Sequence, residues 1–180
     1  MSADITTTAS RTVYENRWMR VREDAIRRRD GSTGIYGVVD KRDFVVIAPI
    51  DAGVVHLVQQ YRYPVQGRWW EFPQGIWDEQ PNADPVEAAR GELAEETGLT
   101  AATMQHEGKM FTAYGTMNQA FHVFLATGLT AGTARLELEE QDLITRAFDL
   151  ADFEAMIRDG TITDSITVAA FGLLRLKGLM

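Results

Sequence analysis

Alternation of apolar and polar positions dominates the first third of the chain and predicts strands rather than helices. Arg11–Arg29 alternates in this way, and Asp30-Gly31 is a hairpin signal that predicts a returning strand over Gly34–Val39. Phe44–Pro49 and Val54–Arg62 are apolar strand candidates, separated by a turn at Asp51-Ala52-Gly53. A helix is expected from Pro85. Phe121–Ala126 reads as a buried strand and Leu143–Leu150 as another. Ala151–Asp159 and Ser165–Leu176 read as helices. About eight to ten residues at the polar N-terminus are expected to be disordered. No internal repeat or low-complexity linker interrupts this order.

The helix expected after residue 84 carries the candidate chemistry. Its run is DPVEAARGELAEETGL, residues 84–99. Asp84 suits the N-cap, Pro85 the first helical position, Glu87 a capping box and Gly98 the C-terminal stop. Val86, Ala89 and Leu93 form a narrow apolar side. Glu92 and Glu96 are four residues apart and share a face, and Glu95 adjoins them. Like charges at this spacing repel, and acids near a helix C-terminus oppose the helix dipole. Within the helix only Arg90 can offset the three. A divalent cation removes both penalties, and carboxylate oxygens on a rigid element suit Mg²⁺ or Mn²⁺.

Composition narrows the classes. The chain has 180 residues, 45% of them hydrophobic and 24% charged, enough for one good core. Cysteine is absent, which excludes disulfides, a thiol nucleophile and cysteine-based metal sites. The N-terminal residues lack the apolar run of a signal peptide, and no window approaches the length of a membrane span. A cytoplasmic protein with no membrane partner is expected. The net charge of −8 opposes a nucleic-acid surface but not a small phosphorylated ligand, whose charge a metal and a few arginines offset.

The run AARGELAEETGL resembles the signature box of the Nudix hydrolase superfamily. Gly75 fits its opening glycine, and Glu92, Leu93, Glu95, Glu96, Gly98 and Leu99 fit its end. Gly91 stands where the box has arginine, with Arg90 one place earlier. The spacer after Gly75 is two residues longer than usual, so the first glutamate of the box falls on Ala83. Further segments resemble the branch of ADP-ribose and nucleoside-diphosphate-sugar pyrophosphatases: VQQYRYPV at 58–65, WEFPQG at 70–75, AYGTMNQAFHVFLA at 113–126 and MIRDGTITDSITVAA at 156–170. Together they span nearly the whole chain. The resemblance implies an α/β fold: a Nudix α/β/α sandwich with a mixed sheet and an N-terminal antiparallel β-sheet extension. It implies a β-strand extension over residues 1–42 that builds a homodimer, and a Nudix domain over 43–180.

The resemblance also implies roles. Glu92, Glu95 and Glu96 would hold Mg (or Mn), with a main-chain carbonyl near Gln74 or Gly75 as a further ligand. The base would come from the acidic run LELEEQDL, with Glu139 first and Glu140 second, although such a run also reads as a solvated charge cluster. Gln119 and Gln141 stand where relatives have acids. Arg62 is a candidate for substrate phosphates through its bidentate donors, or for an ion pair with Glu71 or with a partner subunit. Tyr114, in place of a loop proline, is a candidate for substrate contact. Tyr61, Tyr63, Trp69 and Trp70 read as core, interface or base-stacking residues, and His56, His106 and His122 as structural. The expected reaction is metal-dependent hydrolysis of ADP-ribose or a related nucleoside-diphosphate sugar to a nucleoside monophosphate and a sugar phosphate. The alternatives are an RNA or dinucleoside-polyphosphate pyrophosphohydrolase, which the FPQG segment also resembles, and a non-catalytic nucleotide-sugar-binding module.

Overall fold

The computed structural model describes residues 4–76, 84–136 and 141–180. By its internal contacts the chain forms two units, residues 1–43 with 111–120, and residues 44–110 with 121–180.

The first unit is an antiparallel sheet of β1 (Ile5–Glu15), β2 (Arg20–Arg28) and β3 (Thr33–Asp40). The alternating run Arg11–Arg29 holds the end of β1 and all of β2, with a turn between them. The N-terminus also departs from expectation, because the strand begins at Ile5 rather than after a disordered stretch. Every position of β1 is exposed. Its order comes from backbone pairing, with Ile5 opposite Arg28 and Glu15 opposite Arg20. Cross-strand ion pairs, Arg11–Glu23 at 2.8 Å among them, add to the pairing. The Asp30-Gly31 turn forms as expected, with Gly31 at φ 84° and Ser32 N–H on the Asp30 carboxylate. The 111–120 segment joins this sheet through a parallel bridge between Val39 and Met117 and an Asn118–Asp40 side-chain bond of 2.9 Å.

The second unit is a sandwich. Its sheet contains β4 (Phe44–Asp51), β5 (Val54–Arg62), β6 (Gly67–Glu71), β7 (Gln74–Gly75), β8 (Leu99–Phe111), β9 (Ala120–Ala131) and β10 (Ile144–Asp149). The path runs β10-β5-β4-β9-β8, with β6 paired to β5 and β7 to β4. The sheet is mixed, since β4 runs parallel to β9 and antiparallel to β5 and β7. Period-two alternation divides β4 and β9 between two cores. Val46, Ala48, Phe121, Val123 and Leu125 face one, with Phe153 of α2 (Leu150–Arg158) and Ala170 and Leu174 of α3 (Ser165–Leu176). Val45, Ile47, Phe124 and Ala126 face the other, with Ala88, Ala89 and Leu93 of α1 (Pro85–Thr97). Helices thus cover both faces, and the expected α/β/α architecture is present. Among the described residues, no helix is long and apolar enough to cross a membrane.

The ends of α1 follow local chemistry. The Asp84 carboxylate accepts the Val86 N–H at 3.0 Å, and Gly98 closes the helix at φ 71° with its N–H on the Ala94 carbonyl. A Cβ on Gly98 would stand 2.6 Å from the Ala134 backbone nitrogen. Gly98→Ala therefore meets both the left-handed penalty and a backbone clash that no rotamer relieves. It is expected to lower the unfolding free energy by at least about 2 kcal/mol, read from urea denaturation.

Candidate active site

The site forms where α1 meets the short strand β7. Glu92 and Glu96 face inward from α1, 9% and 1% exposed. The backbone N–H of Gln74 donates to Glu96 Oε2 at 3.2 Å. A Cβ on Gly75 would lie 2.5 Å from the carboxyl carbon of Glu92, so only glycine leaves room for that carboxylate against the strand. The two buried acids thus flank two consecutive residues, Gln74 and Gly75. Glu95 is half-buried, and its carbonyl accepts the Arg135 N–H at 2.9 Å.

This arrangement fits a hard divalent ion. Its donors are carboxylate oxygens, and the glycine cradle keeps one carboxylate close to the strand backbone. Among the described residues no three histidine, aspartate or glutamate side chains converge as a ready metal shell. Mg²⁺ commonly takes only one or two protein carboxylates and completes its shell with substrate phosphate and water. The candidate bases Glu139 and Glu140 lie outside the described residues, as do Asp78, Glu79 and Ala83.

Arg62 takes the ion-pair option. Its guanidinium pairs with Glu71, which is 2% exposed, and Gln60 Nε2 donates to the same carboxylate at 3.2 Å. Burial pushes the Glu71 pKa up, and the Arg62 charge and hydrogen bond pull against it. Arg62 uses Nε and Nη2 for this pair, and its side chain keeps 38% exposure. Arg62→Ala would leave a carboxylate buried without its cation. A loss of about 1–3 kcal/mol is expected in urea unfolding at neutral pH, partly recovered in the Arg62→Ala/Glu71→Gln double variant.

Other residues are placed as follows. Arg90 donates to the Ala101 carbonyl at 3.0 Å and so ties α1 to β8. Trp70 packs edge-on against Phe148 at 5.0 Å, while Tyr61 and Tyr63 are exposed. Tyr114 is 85% exposed on the 111–120 segment of the first unit. Gln119 Nε2 donates to the Arg42 carbonyl, a structural role. His106 Nε2 and His122 Nδ1 lie 3.1 Å apart on β8 and β9. Half-buried His56 has its pKa lowered by burial against the pull of Asp51.

Two groups near the site are not evident from the sequence. Asp164 caps α3, accepting Thr167 N–H at 2.8 Å, and also accepts Gln74 Nε2 at 3.3 Å. Thr167, fully buried, accepts the Phe72 N–H at 2.9 Å. The Asp-x-x-Thr spacing before an apolar helix signals a cap, but no local signal points to Gln74, ninety residues away.

Comparisons with known proteins agree with this geometry. Residues 5–39 match the nucleoside diphosphate sugar hydrolase N-terminal domain, and residues 40–168 match the NUDIX domain. The chain is 33% identical over 168 residues to an ADP-ribose pyrophosphatase of Mycobacterium tuberculosis, covering 92% of this chain and 81% of that protein. It is 30% identical over 149 residues to an ADP-ribose pyrophosphatase of Bacillus subtilis, covering 78% and 80%. A crystal structure of an ADP compounds hydrolase superposes with a TM-score of 0.86 at 22% identity, covering 99% of this chain and 98% of the other, a likeness of fold. With the domain matched over most of its length and the box acids buried against Gln74 and Gly75, the chain belongs to the Nudix hydrolase family, in its ADP-ribose and nucleoside-diphosphate-sugar pyrophosphatase branch.

Proposed function

We propose that this enzyme hydrolyses the diphosphate linkage of ADP-ribose or a related nucleoside-diphosphate sugar, with Mg²⁺ or Mn²⁺, to a nucleoside monophosphate and a sugar phosphate. The observation that carries the reading is the pair Glu92 and Glu96 set against Gln74–Gly75, in a chain resembling an ADP-ribose pyrophosphatase over 92% of its length. Glu92 and Glu96 hold the metal, with the main chain at Gln74 as a further donor and Glu95 at the margin. The bound metal would neutralise phosphate charge and acidify the attacking water. Glu139, or else Glu140, would serve as the base for the attacking water. Arg62 keeps guanidinium donors beyond those given to Glu71, and offers them to a substrate phosphate. Tyr114 supplies a ring to the substrate.

The N-terminal unit, residues 1–42 in this reading, serves as a homodimer surface in a cytoplasmic protein. Val13, Tyr14, Trp18, Met19, Ile35 and Tyr36 are exposed there, an apolar set that a second copy would cover. The remaining chain from residue 43 to 180 is the catalytic domain.

A substrate panel with added Mg²⁺ tests the proposal, with products separated by chromatography. Release of AMP and ribose phosphate from ADP-ribose, abolished by EDTA, is the expected result. Activity confined to capped RNA or diadenosine polyphosphates would reject the sugar-nucleotide assignment.

A further inference from the structure

We infer that Asp164 is a positioning residue for the metal-binding strand, acting through the side chain of Gln74; this inference rests on the function proposed above. The residues between β6 and β7 run between two helices on opposite faces of the sheet. Gln74 reaches both. Its backbone N–H donates to Glu96 Oε2 on α1 at 3.2 Å, and its side-chain Nε2 donates to Asp164 Oδ2 at the start of α3 at 3.3 Å.

The Asp164 carboxylate does more than cap a helix. Oδ2 accepts three donors: Gln74 Nε2, the Thr167 N–H at 2.8 Å and the Thr167 hydroxyl at 2.7 Å. The Thr167 oxygen in turn accepts the Phe72 N–H at 2.9 Å. One carboxylate therefore holds both neighbours of Pro73, Gln74 directly and Phe72 through Thr167. The Pro73 carbonyl is held by the Ile47 N–H at 2.9 Å. With all three residues tied, the strand has little freedom to slide past α1. A shift of Gln74 would move the donor of Glu96 and, through Gly75, the surface against which Glu92 rests. The α3 N-terminus suits a carboxylate electrostatically. Capping alone would not need aspartate, because serine caps as well but is too short to serve Gln74 and Thr167 together.

The test separates capping from positioning. Mn²⁺ affinity is measured by electron paramagnetic resonance without substrate, alongside kcat, KM and thermal unfolding. Asp164→Ser is expected to keep α3 and a melting temperature near that of the wild type, weaken Mn²⁺ binding about tenfold and lower kcat with little change in KM. Asp164→Asn, which keeps an acceptor of the same reach, is expected to restore most of the affinity. Gln74→Ala leaves the cap untouched and removes the side-chain link to Asp164, together with a hydrogen bond to Glu71, so it is expected to reproduce the tenfold loss. The Asp164→Ser/Gln74→Ala double variant is expected to be no worse than either single one. Wild-type Mn²⁺ affinity in Asp164→Ser or Gln74→Ala, or losses that multiply in the double variant, would overturn the inference alone. A wild-type protein that neither binds Mn²⁺ nor cleaves a diphosphate would overturn the proposed function and this inference with it.

Discussion

Gly75→Ala is expected to lower kcat/KM about 100-fold while leaving the fold nearly intact. The added methyl would fall 2.5 Å from the carboxyl carbon of Glu92. That group is the far end of a flexible side chain, so the side chain swings away and the strand stays. Gly75 does not have the positive φ seen at Gly31, Gly53 and Gly98, so alanine meets no backbone strain there. Its pairing with Val45 uses backbone groups that alanine keeps. The displaced carboxylate is the cost. A misplacement on the order of 1 Å in a catalytic constellation lowers rates about 100-fold, the loss expected in kcat/KM. Urea unfolding checks that stability moves by less than about 1 kcal/mol, the range of a tolerated small substitution. Wild-type turnover in this variant would mean that Glu92 does not act from its cradle.

Glu96→Gln carries the larger effect on chemistry and the opposite effect on stability. Glutamine has the same shape and can still accept the Gln74 N–H, so the local hydrogen bond survives. What disappears is a negative charge in a position that is 1% exposed. With a neutral amide in place of a carboxylate at the proposed metal site, a drop of about three orders of magnitude in kcat/KM is expected, roughly 4 kcal/mol of transition-state stabilisation. In EDTA the variant is expected to be as stable as the wild type or more so. A buried amide costs less desolvation than a buried carboxylate, and repulsion from Glu92 four residues earlier is relieved. Thermal melts with and without Mg²⁺ check this: metal is expected to raise the wild-type midpoint and leave the variant unmoved. Activity within tenfold of the wild type would remove Glu96 from the metal site.

Much of the fold around these residues is legible in the amino-acid sequence. Asp84, Pro85 and Gly98 delimit α1 because capping and left-handed closure are settled by atoms within one turn. Asp51-Ala52-Gly53 turns for the same reason, with both Ala52 and Gly53 at positive φ. Ser165–Leu176 reads as a helix, and α3 has those bounds. The elements that are not legible share a physical cause as well. The buried positions of β8, Leu99, Met104 and Glu107, follow no strict alternation, and most of its other side chains are exposed or half-buried. The first half of β1 reads as disordered because it buries nothing, and its order lies in backbone pairing that side chains do not announce.

The sequence by itself determined the helix that carries the acids, its caps, the shared face of Glu92 and Glu96, and the turns that order the strands. These are short-range matters of dihedral angle, hydrogen bonding and spacing along one element. Only the tertiary structure decided what surrounds that helix. It gave Arg90 to the Ala101 carbonyl, Arg62 to Glu71, and Gln74 to both Glu96 and Asp164. It also revealed that Gly75 is glycine to make room for a carboxylate seventeen positions later. Such partners are chosen by how strands pair and how the helices close on the two faces of the sheet, which local spacing does not encode.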